Sequence, residues 1–534
     1  MKTRIIIFGC GVGGLTVAHE LSKNPKFDIT MYEKKSVIGG LARSSRDQDG
    51  CATEYCWRVY FHFYDNLFKI MSEIPLIEDN RKSVIDNITN CSNKNVADIN
   101  FSLHDKFIGL YNIVYGLTSS DARLNQLDNI SWWKSLEGTK SSHLLRAIGP
   151  WLGADRYSCS YKSVIKVGME LDIIPGIFDR SGRIRNKIST KPTSEAWFNH
   201  WKLHLQNSGV KINFGISLDS VNISNNRITS VVVDDGYHKN SVTADYYVFA
   251  LPVEILDIIV NKTPGLQYGQ MLDIQRLKNI SLHIQLSFQL YFDRSVSLGM
   301  NSDPHKGGIS SFLLIDTPWD IIVLQYDKIY KNTYLCEGIP NVKGGWSVAA
   351  CTAYIPGIVY GKPLNRCTYE EIITELWQQM YTSKELQKII RENNGFYMES
   401  YMVVKWSPMW PTYHFNRKIQ KLITSEPKFT NNAGTYALRP SYRTHIDNLF
   451  ISTAYIKETI DIFSTEAAAI AGKFVANAIG GSPEPVIRPR PSFFKPLRSF
   501  DTFAFKNKLP NLFLFIVLIC IIIVIIIVWK ILAR

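Results

Sequence analysis

A run of glycines near the amino end constrains this chain more than any other feature. Arg4-Ile-Ile-Ile-Phe8 is a short β-branched stretch, and Gly9-Cys10-Gly11-Val12-Gly13-Gly14 follows at once. Leu15, Ala18 and Leu21 then recur at helical spacing, and Phe27 to Tyr32 reads as a second strand ending at Glu33. Strand, tight turn, helix, strand and acid is the order that a bound dinucleotide requires. Gly9 permits the turn. Gly11 lets the backbone approach a diphosphate where a Cβ would collide, and Gly14 lets the helix pack closely on the strand. The amides opening the helix, around Val12 and Gly13, face the phosphates. Glu33 lies nineteen residues past Gly14, where its carboxylate can accept hydrogen bonds from both ribose hydroxyls. A purely structural glycine turn is the competing reading.

The residues after Glu33 narrow the choice. Lys34 is followed by Gly39-Gly40-Leu41-Ala42-Arg43, then by Glu54, Trp57, Arg58, Phe61, His62, Tyr64, Asn66 and Leu67, running to Pro75. This run resembles the flavin amine oxidase and phytoene desaturase superfamily, and its hydroxysqualene-dehydroxylase-like branch in particular. The resemblance implies FAD, held noncovalently since no cysteine stands in the family's attachment context. It also implies that the Gly39–Gly40 pair and Arg43 wrap the diphosphate, and that the region around Trp57 packs near the flavin. Core packing explains the same aromatics equally well. Strand-like runs at 210–214, 218–223, 227–233 and 242–249 resemble the family's β-meander and closing strand, which brings Val221 and Ala250 to the cofactor. The last block, Asn448 to Tyr455 and then Ser464 to Gly472, departs from the pattern: Thr453-Ala454 stands where the family shows Gly-Asp. Ala454 therefore offers the flavin no carboxylate, and one lost polar contact weakens binding by about 1–3 kcal/mol.

The expected fold is α/β: a discontinuous, Rossmann-like FAD domain of the glutathione-reductase type with an inserted α+β substrate domain. Its cofactor parts are 1–75, 193–255 and 445–482; the substrate parts are 76–192 and 256–444. Residues 483–509, with five prolines among basic residues, read as an extended linker. Residues 510–530 read as a transmembrane helix, since Leu512 to Trp529 carries no charge. Almost half of the net charge of +13 flanks that apolar run. This favours an anionic membrane lipid surface over nucleic acid, for which no basic helix or aromatic-basic ribbon speaks. More basic residues precede the run than follow it, so the expected topology is a single-pass C-terminal anchor with the globular part facing the cytoplasm. Nine scattered cysteines without CxxC spacing read as reduced thiols, with no metal site and no disulfide framework.

No nucleophile–base motif appears, and His62, His283 and His414 stand alone. Lys405-Trp406 and Trp410 to Tyr413 resemble the segment that faces the flavin in the family, although such aromatics also fill cores. Flavin chemistry needs no protein nucleophile. The expectation is a membrane-anchored oxidoreductase, desaturase-like or amine-oxidase-like, acting on a hydrophobic, isoprenoid or lipid substrate. The alternative, favoured by Ala454, is a non-catalytic binding protein on the same fold.

Overall fold

The computed structural model describes residues 1–55, 58–91, 93–94, 102–137, 139, 148–175, 185–294, 311–330, 333–392, 403–408, 412–480, 485–487 and 494–532, a few by backbone alone. They fall into two compact units. The first takes in residues 1–98, 181–430 and 438–487, the second 99–180, 431–437 and 488–534.

The first unit is built on a five-stranded parallel sheet. Its order is Leu449–Ile451, Tyr246–Phe249, Thr3–Phe8, Phe27–Glu33, Lys211–Phe214. The amino-terminal strand is central because both its faces are apolar: Ile5 and Ile7 are fully buried, and Ile6 nearly so. Ile5 pairs with Ile29 on one side and with Tyr246 on the other. The chain thus leaves Thr3–Phe8 at a point where the strand order reverses, which is where open α/β sheets bind ligands. Helices Val12–Ser22 and Thr465–Ile479 pack together on this sheet, with Gly472 so close to Thr16 that a Cβ there would collide. A three-stranded antiparallel meander follows, Ser217–Ser224, Arg227–Asp234 and Lys239–Val242. The positive φ of Asn225 and Asn226 makes its first turn. A six-stranded sheet runs Val403–Pro408, Leu286–Phe292, Gly344–Ala350, Ile321–Gln325, Ser311–Leu314, Asn93–Lys94. Leu286–Phe292 and Gly344–Ala350 are buried along their whole length.

The second unit is helical. Leu103–Thr118, Asp121–Leu127 and the π-helix Val164–Ile173 associate with Lys495–Lys506 and Leu512–Leu532. Here one expectation is corrected. The stretch 483–509 is not extended throughout, because Lys495–Lys506 is a helix. Pro496 stands in its first turn, where the missing N–H costs nothing, and so it starts the helix rather than breaking it. Asp501 closes the packing: it is fully buried, accepts from the Ser120 amide at 2.7 Å and pairs with Arg123 at 2.9 Å.

The C-terminal apolar run is helical over Leu512–Leu532, with Asn511 capping it through the Phe513 amide at 2.8 Å. Counting only fully described residues, no helix is long and apolar enough to cross a membrane. A second correction concerns the cysteines. Cys51 and Cys336, 285 residues apart, form a disulfide, whereas Cys10, Cys91, Cys159, Cys351 and Cys367 are free and buried. Spacing could not reveal a bond that only the meeting of two distant loops creates.

Candidate functional site

The glycine turn lies at the carboxyl end of the central strand. The Gly9 amide donates to Tyr32 O at 2.8 Å and the Ala250 amide to Phe8 O at 2.8 Å, so three strand ends fix one turn. Gly9 has φ +96°, and a side chain there would strike the Ala250 carbonyl. A Cβ on Gly13 would strike Ser452, and one on Gly14 would strike the Gly9 carbonyl. Gly11 differs: nothing of the protein lies within 4 Å of a Cβ built on it. Three glycines of the motif are thus required by packing, and the fourth is required by nothing in the chain. Gly40, at φ +55°, comes up beside it, its Cβ position 3.2 Å from the Gly11 Cα.

Gly11 is also the N-cap of helix Val12–Ser22. It has extended backbone and no capping side chain, and the first helical turn holds no acid. Helix-start amides left without a side-chain acceptor, at the positive end of the dipole, form a cradle for a diphosphate. The residues present fit that group.

Glu33 closes the cradle. Its Oε2 accepts from the Cys10 amide at 2.8 Å and its Oε1 from the Lys35 amide at 3.0 Å. Two backbone amides thus orient the carboxylate, which keeps lone pairs for further donors. Gly39 donates to Cys10 O at 2.8 Å, which folds Gly40-Leu41-Ala42 back over the turn as a single 3₁₀ turn.

Other expected residues are placed differently. Arg43 is buried and forms a two-point pair with Glu426 at 3.1 and 3.0 Å, with a bond to Gly40 O at 2.6 Å. Lys35 joins Glu426 at 3.1 Å, while Lys34 is exposed. Val12 is buried at the helix start, and Ala454 is buried just past Leu449–Ile451. Val221 faces Val231 in the meander and belongs to the apolar cluster around Phe8 and Phe249, so it is a core residue there. Trp57 and Trp410 lie outside the described residues, as does the side chain of Trp406. Lys405 pairs with Asp47 at 2.7 Å and with Asp49. His283 is buried against Cys351 O at 2.9 Å, while His414 is exposed.

Sequence reasoning missed Ser452, whose hydroxyl donates to Gly13 O at 3.0 Å and ties the last strand to the turn. It also missed Glu426, Glu254 and the role of Glu54. Burial, with Glu426 nearby, pushes Glu254 up to about 7. Burial likewise pushes Glu54 up to about 7, against the opposing pull of Arg58 and the Thr193 amide, which donates to Oε1 at 2.7 Å. The Cys10 thiol is raised well above its ordinary value by burial, then by Glu33.

The family profile described as "NAD(P)-binding Rossmann-like domain" matches residues 7–74. The zeta-carotene desaturase of Synechocystis sp. is 22% identical over 517 residues, covering 89% of this chain and 97% of that protein. The chloroplastic/chromoplastic zeta-carotene desaturase of Zea mays is 27% identical over 174 residues, and the match spans only 30% of that protein and 26% of this chain. Among solved structures, putrescine oxidase bound to putrescine superposes with a TM-score of 0.56 at 12% identity, over 90% of this chain and 99% of that one. The proteins this chain is similar to are oxidoreductases, and it has their Rossmann-like, nucleotide-binding α/β fold.

Proposed function

We propose that the chain is an FAD-dependent oxidoreductase, desaturase- or dehydrogenase-like, acting on a hydrophobic substrate of isoprenoid or lipid type at a membrane. The observation that carries the reading is Gly11: a glycine with no packing reason, at an uncapped helix start, two residues from a turn held by Glu33. When bound, the flavin supplies the hydride acceptor. The chain's own part is to hold the diphosphate on the Val12 and Gly13 amides and the sugar on Glu33. The high, buried thiol of Cys10 makes a poor nucleophile, which supports noncovalent attachment.

The alignment with a zeta-carotene desaturase along 89% of the chain supports a polyene-like or isoprenoid substrate. The similarity in fold to putrescine oxidase keeps amine oxidation as a variant of the same chemistry. The helix from Leu512, without a charge as far as Trp529, supports a C-terminal membrane anchor, with the basic segment before it on the cytoplasmic side. The test is the visible spectrum of the full chain purified in detergent, followed by acid precipitation. A yellow protein that releases FAD into the supernatant supports the reading. A folded but colourless protein favours the rival reading, a binding protein in which Ala454 has replaced the flavin-holding carboxylate.

A further inference from the structure

The second unit carries two helices that are amphipathic the wrong way round for water. Helix Leu103–Thr118 buries Asp105 and leaves Leu103, Phe107 and Leu110 85%, 69% and 61% exposed. The spacing of four and then three residues puts those side chains on one face. Helix Lys495–Lys506 repeats the pattern. It buries Asp501 and Ala504, while Leu497, Phe500 and Phe503 stand out along one face, Phe503 at 62% exposure. The polar groups inside have partners: Asp501 has Arg123 and the Ser120 amide, the Asp105 carboxylate accepts from the Ser102 hydroxyl at 2.8 Å, and Arg498 has Glu170 at 2.9 Å. Burying paired charges while exposing phenylalanines gains nothing against water, and exposed apolar patches of this kind mark a contact surface.

Both helices lead into the same apolar element. Tyr111 packs on Phe513 with ring centroids 5.6 Å apart, and Asn511 bonds Thr118 at 3.1 Å and Ser119 at 3.3 Å. The helix from Leu512 thus starts against Leu103–Thr118, and it too exposes apolar side chains, Ile516, Leu518 and Ile519 among them. Lys106 and Lys495 are exposed beside the two stripes, as befits an anionic headgroup layer. We infer that Leu103, Phe107, Leu110, Leu497, Phe500 and Phe503 form an in-plane docking face that lies at the headgroup–acyl boundary of a phospholipid bilayer. This face goes beyond the single anchor and rests on the reading that the C-terminal helix enters the same membrane.

The test uses the full chain carrying Phe107→Trp or Phe503→Trp, reconstituted into phosphatidylcholine–phosphatidylserine vesicles with and without lipid brominated near the headgroup end of the acyl chains. The emission added by either tryptophan is expected to fall by roughly half in brominated vesicles, as for a side chain 5–10 Å deep. Two variants on different helices guard against one that misfolds. Added emission that bromine leaves unchanged in both overturns the face. Emission that instead shifts with protein concentration assigns it to a second copy of the chain and overturns it equally. Alkaline carbonate extraction of the same vesicles separates the two readings. A chain that resists extraction with unquenched tryptophans loses only the docking face. A chain washed off by carbonate, yet quenched when bound, keeps the face and loses the anchor.

Discussion

Arg43 does not reach outward from the glycine turn; its guanidinium lies flat against the Glu426 carboxylate, with both side chains about nine-tenths buried. The family resemblance assigns Arg43 to the diphosphate. In the structure a residue 383 positions away holds it, and Lys35 shares the same acceptor. Removing one partner of such a pair costs far more than removing both, since a lone buried charge remains. Glu426→Ala is expected to lower the unfolding free energy by about 3–5 kcal/mol, and the Arg43→Met, Glu426→Leu double variant to recover most of it. Urea midpoints check this. Full recovery of stability without recovery of bound flavin would show that Arg43 also serves the cofactor.

Gly11 and Gly14 separate binding from folding. Gly11 has φ −75°, which any residue adopts, and free space around its Cβ position. Gly11→Val should leave stability within about 0.5 kcal/mol and abolish bound flavin. Gly14→Val drives a side chain into the Gly9 carbonyl and Ile7, so the protein should fail to fold or lose several kcal/mol. Thermal melting and the flavin absorbance of each purified variant decide the matter. Equal flavin content in Gly11→Val and the parent would remove the central support of the proposed function.

Glu33 is expected to act on affinity more than on stability. It accepts two backbone amides, of Cys10 and Lys35, and lies partly open. Glu33→Ala should weaken flavin retention by about 10- to 100-fold, the loss of charge-assisted hydrogen bonds worth some 1.5–3 kcal/mol. Dialysis against flavin-free buffer, with the protein-bound fraction read at equilibrium, measures it.

Glu54 gives a pH signature. Its carboxyl titrates near 7 in the folded protein because burial disfavours the charged form. Between the ordinary value of 4.5 and about 7 the folded state therefore binds more protons than the unfolded chain, and stability falls as pH rises through that window. The contribution is bounded by roughly 3 kcal/mol. Glu54→Gln, neutral at every pH, should make the fall in stability between pH 5 and 7.5 shallower in urea titrations, leaving the share that Glu254 and Glu466, raised by burial in the same way, contribute. An unchanged slope would mean that Glu54 is not the group responsible.

Asp501 tests the helix that replaced the expected linker. With the Ser120 amide and Arg123 both bound to a fully buried carboxylate, Asp501→Ala should destabilise the second unit by about 3–5 kcal/mol. Limited proteolysis should then open the chain near 494–509, while the parent stays protected there. Rapid cleavage of the parent at the same place would restore the linker reading.

The dinucleotide unit was legible because its information is local. A β-branched run, glycines at fixed offsets, an amphipathic turn and an acid lie within 33 residues, and the backbone constraints that select them act over a few ångströms. The first two strands of the meander, Ser217–Ser224 and Arg227–Asp234, were legible for the same reason. The partner of Arg43, the Ser452 tie to Gly13, the Cys51–Cys336 bond and the burial of Asp501 were not. Each joins residues far apart in the chain, and no spacing rule encodes such a meeting. By itself, then, the sequence determined which segment builds the Rossmann-like glycine turn and that residues 512–529 form an apolar helix. The tertiary structure alone decided which charges are buried against which, which glycine of the turn has no packing partner, and which helix faces carry their phenylalanines outward.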